Sequence, residues 1–289
     1  MKRIETLAEL EARLSAPTEG VLNTLRSLEG DLLVLGAGGK MGLSLARMAQ
    51  RAGAAVGGKR RIFAVSRFSS ANAADELRRH GVQPIACDLA DREAVGHLPD
   101  APHVIYMAGQ KFGTSDTPEL TWVMNTLVPA IVADRYARSR IVVFSTACVY
   151  PMTPATGPGS REGDPLGPPG EYASSCVGRE RIFAHFSKAN GTLALLFRLS
   201  YAIDLRYGVL LDVAQRVAHG LPVDVTTGWA NVIWQGDANA RAIECLAHTA
   251  TPPRPLNVTG REKVSIRELA ARFGELLGKQ PAIVGTEAP

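Results

Sequence analysis

Cysteine is scarce in this 289-residue chain, and its four copies, Cys87, Cys148, Cys176 and Cys245, share no paired spacing. That excludes a disulfide framework and argues against a cysteine zinc site. No run approaches the roughly 18 apolar residues of a membrane span. The segment from Met1 to Gly30 carries charges throughout and holds no apolar stretch of the signal-peptide kind. A soluble, cytoplasmic protein without a membrane partner is expected. Charge of one sign is also in short supply, with a net +4. The basic clusters, Lys59-Arg60-Arg61 and Arg78-Arg79, are short and read as solvated edges, so nucleic acid is not an expected partner. The six histidines are scattered, no internal repeat is visible, and no metal site is expected.

What is present is alternation. Short apolar runs at Asp31–Leu35, Ile62–Val65, Gln83–Ala86, His103–Met107, Ile141–Phe144 and Thr192–Phe197 are separated by helical patterns. This predicts an α/β fold, a doubly wound parallel (Rossmann) sheet with a smaller C-terminal substrate region. Three parts are expected: a helical extension over 1–30, a dinucleotide-binding domain over 31–200, and a mainly substrate-binding region over 201–289. In the extension, Leu7, Leu10 and Leu14 stand at helical spacing and Thr18 is placed to cap a second helix. Met152 to Gly170 is crowded with Pro and Gly and reads as a loop, a candidate lid. Further on, a helix is expected over Gly208–His219 and short strands at Val223–Val225, Asn231–Trp234 and Ala282–Val284. Asp237 and Ser265 are expected helix caps, with Glu268 at the capping-box position of the second.

The first strand runs into Gly36-Ala37-Gly38-Gly39-Lys40-Met41-Gly42 and then an apolar helix. Glycines at 36, 39 and 42 supply a tight turn, close approach to a pyrophosphate and close helix–strand packing. Following a strand and opening a helix, the motif predicts a dinucleotide site rather than a bare turn. The second strand ends at Ser66-Arg67, where an NAD site usually places an acid. A hydroxyl beside a guanidinium suits a 2′-phosphate, so NADP is expected over NAD. Arg67 as a surface residue stacked on adenine is the alternative.

These residues resemble the extended short-chain dehydrogenases, the NAD(P)-dependent epimerase/dehydratase family. The resemblance extends to Asp88-Leu89 as the adenine-contacting pair, Met107-Ala108-Gly109 as the turn after the fourth strand, and Asn125 in the next helix. Ser145-Thr146-Ala147-Cys148-Val149-Tyr150 is similar to the family's Ser-Ser-x-x-Val-Tyr segment, and Tyr172-Ala173-Ser174-Ser175-Cys176 to its Tyr-x-x-x-Lys motif with cysteine in place of lysine. Trp234-Gln235-Gly236-Asp237 and Asn257-Val258-Thr259-Gly260 are similar to its C-terminal signatures.

The resemblance implies that Tyr172 is the general acid/base and Thr146 holds the reacting oxygen, with Tyr172 also touching the cofactor. It further implies a homodimer and a carbohydrate-like substrate, such as a sugar, nucleotide sugar or sugar acid. Tyrosine ionises near pH 10, so a base working at neutral pH needs roughly 4 kcal/mol of help. Lysine gives part of that help in the family; Cys176 cannot, as a neutral thiol. Three accounts stay open: another cation substitutes, with Lys111 ahead of Arg179; catalysis is slow or needs little base strength; or the protein only binds dinucleotide, as a redox sensor would. Ala147 and Cys148 stand where nucleotide-sugar 4,6-dehydratases carry an Asp-Glu pair, which leaves epimerisation or simple redox. Arg198 begins a segment similar to the family's Arg-x-x-Asn element, with Tyr201 at the asparagine position; Tyr201 and Arg206 are either substrate contacts or structural.

Overall fold

The computed structural model describes residues 3–68, 71–111, 113 and 116–287. Strands β1 (Leu32–Leu35), β2 (Ile62–Ser66), β3 (Gln83–Ala86), β4 (His103–Tyr106), β5 (Arg140–Thr146) and β6 (Leu193–Leu199) join a seventh, Arg254–Val258, in one sheet. Every pairing is parallel, in the order seventh, β6, β5, β4, β1, β2, β3. The strand order reverses between β1 and β4, and the crevice at their carboxyl ends is where such sheets place ligands.

The sheet is covered on both faces, which is why β1 reads as an unbroken apolar run. Successive side chains point to opposite faces. Leu32 and Val34 join one core with Leu45, Met48 and Ile243; Leu33 and Leu35 join the other with Val104, Val132 and Phe183.

The extension forms the expected helices, Leu7–Leu14 and Glu19–Ser27. Thr18 caps the second by accepting from the Val21 amide at 3.2 Å. Val21 and Leu25 belong to the first core, beside the helix Gly42–Ala55. Arg60 departs from a solvated edge: it is half-buried and donates to the Leu25 and Leu28 carbonyls, tying the extension to β2. Arg61 pairs with Asp31 at 2.6 Å.

The C-terminal region has its own small core, with Val213, Val217, Val223, Val225, Ile266 and Ala270, under the helices Val209–Ala218 and Ile266–Leu277. Ser265 caps the latter as expected. Asp237 does not cap its helix, which begins two residues earlier at Gln235 with no side-chain cap; Asp237 lies in the first turn. The expected strand Asn231–Trp234 is two strands, Trp229–Asn231 and Ile233–Trp234, with different partners. They divide at Val232, whose carbonyl accepts from the Gly260 amide at 3.0 Å. The seventh sheet strand also comes from 201–289, so that region contributes to the large sheet as well as to the small core.

Residues 151–169 form no helix or strand. This loop is tied down where Glu162 accepts from the Asn257 amide at 2.9 Å, Ser160 accepts from the Asn257 side chain at 3.2 Å, and Lys263 donates to the Ala155 carbonyl. No described helix is long and apolar enough to cross a membrane.

Candidate active site

The chain turns sharply after β1 because Gly36 adopts φ +90°, a left-handed conformation that side chains disfavour. A Cβ there would lie 2.5 Å from the Ala108 nitrogen, so only glycine lets this turn meet the one after β4. The Gly36 and Ala37 amides both donate to the Val65 carbonyl, at 2.9 and 3.0 Å. A Cβ on Gly42 would fall 2.4 Å from the Ala37 carbonyl oxygen, so the helix start packs directly on the turn. Gly39 faces only the Gly36 oxygen, at 3.6 Å, which leaves an open cradle. No side chain caps the helix Gly42–Ala55; the Gly42 amide turns back to the Gly39 carbonyl at 3.2 Å, and this uncapped end faces an external acceptor. That combination fits a dinucleotide pyrophosphate. Lys40 stacks over the Tyr207 ring at 4.3 Å, and Met41 packs on the first core. Gly38, which the motif spacing did not single out, is also constrained, since a Cβ there would meet Ser66 Oγ at 2.4 Å.

Ser66 therefore abuts the glycine loop, while Arg67 is exposed beside it. Arg67 lines a cavity of ≈ 280 Å³ with Gly109, Gln110, Lys111, Leu120 and Met124. The Cys87 amide donates to the Ser66 carbonyl, which sets exposed Asp88 and buried Leu89 beside the end of β2. Met107 donates to the Leu35 carbonyl at 2.9 Å, bringing Met107-Ala108-Gly109 alongside Gly36. The fold thus gathers the expected cofactor-side residues around one crevice.

Asn125 is fully buried within a π-helical turn, Val123–Leu127. Its side chain donates to the Gln110 carbonyl and to Ser175 Oγ, and accepts from the Gln110 amide and from Arg179.

Thr146 ends β5, and Tyr172 and Cys176 rise on the long helix Gly170–Asn190. Tyr172 packs on the cluster of Val149, Tyr150 and Cys176, and Thr146 lies near enough to act on its hydroxyl. Burial pushes the Tyr172 hydroxyl above its ordinary range, Cys176 adds to that, and the Arg179 charge opposes it. Burial likewise raises the fully enclosed Cys176 thiol. Exposed Cys148 stands at the rim. Lys111 is exposed and lines the Arg67 cavity.

Arg198 and Arg206 are both tied into the scaffold. Arg198 is buried and grips Glu180 with two hydrogen bonds, at 3.0 and 2.7 Å, and donates to Tyr150 at 2.6 Å. Arg206 pairs with Asp204 and with Glu11 of the extension. Tyr201, in contrast, is 52% exposed and lines a second cavity of ≈ 290 Å³ with Trp229, Asp212, Arg216 and Asp224. Trp229 carried no signal of its own in the sequence. No cluster of metal-ligating side chains occurs among the described residues.

Residues 32–227 match the family described as NAD dependent epimerase/dehydratase. A comparison with curated proteins finds no match. Among solved structures, the chain is similar to the UDP-glucose 4-epimerase of Thermus thermophilus in complex with NAD, with TM-score 0.70, 21% identity and coverage of 89% of this chain and 86% of that one. It is similar to an epimerase of Methanothermobacter thermautotrophicus, with TM-score 0.76, 15% identity, and 94% and 84% covered. A third likeness is to the dTDP-glucose 4,6-dehydratase of Bacillus anthracis in complex with NAD, with TM-score 0.75, 16% identity, and 90% and 86% covered. At these identities the likeness is one of fold.

Proposed function

The chain belongs to the NAD-dependent epimerase/dehydratase family, and from that premise we propose an oxidoreductase or epimerase acting on a carbohydrate-like substrate. The observation that carries this reading is the placement of Tyr172 near Thr146, at the carboxyl end of β5, with Tyr172 packed on Cys176. Tyr172 exchanges the proton of the substrate hydroxyl, and Thr146 orients the same oxygen. A bound dinucleotide would supply the hydride chemistry, taking up hydride in net oxidation and also giving it back in epimerisation. Gly36, Gly39 and Gly42, flanked by Lys40 and Met41, would hold its pyrophosphate. Asp88, Leu89, Met107, Ala108 and Gly109 would border the adenosine half, and Asn125 would act through the backbone it braces.

The absence of an acid at the end of β2, with Ser66 and Arg67 in its place, supports NADP over NAD. Ala147 and Cys148 after Thr146 supply no acid/base pair for elimination, which favours redox or epimerisation over dehydration. The second cavity combines two exposed aromatic faces, Tyr201 and Trp229, with the hydrogen-bonding rim of Asp212, Arg216 and Asp224, a lining suited to a hydroxyl-rich ring. Exposed Leu120, Trp122 and Leu127 support a homodimer, and the unpaired state of all four cysteines supports a cytoplasmic setting.

A second reading, a catalytically silent dinucleotide-binding protein, is favoured by Cys176, a buried thiol where the family places its cation. One experiment separates the two. Purified protein is screened with sugars, nucleotide sugars and sugar acids for NADP⁺ reduction and for epimerised product, alongside Tyr172→Phe and Cys176→Lys. The enzymatic reading expects turnover that falls by about 10²-fold or more in Tyr172→Phe. No turnover in the parent or in Cys176→Lys, with dinucleotide binding intact, would leave the silent reading standing.

A further inference from the structure

Resting on that reading, we propose that Arg179 is the positioning cation of the proton-transfer site, replacing from one helical turn further along the charge that Cys176 lacks. Residues 172, 176 and 179 follow one face of the helix Gly170–Asn190, since three- and four-residue steps return to the same side. Cys176 is short and leaves the space beyond it to a longer side chain. Arg179 fills that space. Its guanidinium donates to the Phe144 carbonyl of β5 at 2.8 Å and to Asn125 Oδ1 at 2.5 Å. It also lies so close under the turn after β4 that a Cβ on Gly109 would come within 2.3 Å of it. The charge is therefore fixed between the Tyr172 helix, the Thr146 strand and the turn that borders the cofactor crevice.

The decisive feature is the lack of a counter-ion. Arg179 is 5% exposed, yet no ion pair among the described residues includes it. Its hydrogen-bond acceptors are neutral, a peptide carbonyl and an amide. The neighbouring buried arginine, Arg198, is matched by Glu180, and Arg206 by Asp204. An unmatched buried charge is costly, and the cost is relieved when a negative charge forms beside it. Tyr172 is where that happens: when its proton moves to or from the substrate oxygen, the phenolate gains Arg179 as counter-charge. Two further buried donors nearby are unsatisfied, Arg179 Nε and Tyr106 Oη, with the Tyr106 ring 5.8 Å from the guanidinium. This pocket is therefore polarised rather than hydrogen-bond-saturated. Lys111, by contrast, is exposed and lines the Arg67 cavity.

The test is the ionisation of Tyr172, read as the phenolate difference absorbance against Tyr172→Phe with NADP⁺ present. Arg179→Gln should raise the midpoint by about one pH unit or more, a tenfold change in ionisation constant. Arg179→Lys, which keeps the charge, should stay near the parent. Cys176→Lys combined with Arg179→Gln should bring the midpoint back. In pH–rate profiles of substrate oxidation, where Tyr172 acts as the base, the acidic limb should move the same way. An Arg179→Gln midpoint equal to the parent, a double variant that restores nothing, or a parent Tyr172 that does not ionise before the fold is lost would each overturn the proposal. If Arg179→Gln does not fold, Arg179→Lys and the double variant decide the matter. Dinucleotide binding by the parent is measured in the same samples. Its absence defeats the functional reading, whereas normal binding with unmoved ionisation defeats only the role of Arg179.

Discussion

Residue by residue, the crevice is built from constraints of very different legibility. Gly36 and Gly42 were readable because both serve a local turn, within seven residues of one another. Replacing Gly36 by alanine sets a side chain at φ +90° and 2.5 Å from the Ala108 nitrogen. The expected cost is about 1–3 kcal/mol, seen as a lower denaturation midpoint. Gly38 was not readable, because what confines it is Ser66, on another strand. Arg179 was visible as a turn away from Cys176, but its lack of a counter-ion was not. That depends on Asn125 and Phe144, which are brought beside it only when the sheet forms. Its neighbour Glu180 gives a contrasting prediction. Glu180→Gln leaves Arg198 buried without its partner and should lower stability by about 3–5 kcal/mol in a denaturant titration. A loss below about 1 kcal/mol would show that the pair is not shielded from solvent.

At the scale of elements, β1, β2, β4, β5 and β6 were legible as apolar runs because helices cover both faces of the sheet, and β3, half-buried at one edge, was legible from its place in the alternation. The strand Arg254–Val258 was not, since it lies at the edge, pairs only with β6 and alternates exposed with half-buried residues. The cap at Ser265 was readable from its Glu268 partner; Asp237 misled because that helix starts earlier, at Gln235. Ser265→Ala should therefore cost about 1 kcal/mol in thermal unfolding. Asp237→Ala should cost less, because no cap bond is lost. The loop 151–169 is pinned chiefly through Glu162 and Ser160. Glu162→Ala is expected to speed proteolytic cleavage within the loop at unchanged global stability, and an unchanged cleavage rate would show that other contacts hold it.

Across the whole molecule, the extension is coupled to the sheet through charge and through one histidine. His103, at the start of β4, bonds the Glu29 carbonyl at 2.8 Å and is 4% exposed. Burial holds its pKa below the ordinary 6.5, so the folded protein keeps the ring neutral. The sign follows: the unfolded chain binds a proton that the folded chain does not, so stability is full above pH 6.5 and falls as pH drops below it. His103→Gln should flatten that fall in unfolding measurements made at a series of pH values. The dinucleotide crevice is nevertheless the feature on which everything else depends, and calorimetric titration with NADP⁺ and NAD⁺ tests it most directly, on the parent and on Arg67→Ala. NADP⁺ should bind about tenfold tighter than NAD⁺, a preference of roughly 1.4 kcal/mol that collapses in Arg67→Ala. A parent protein that binds neither nucleotide would contradict the assignment of the crevice.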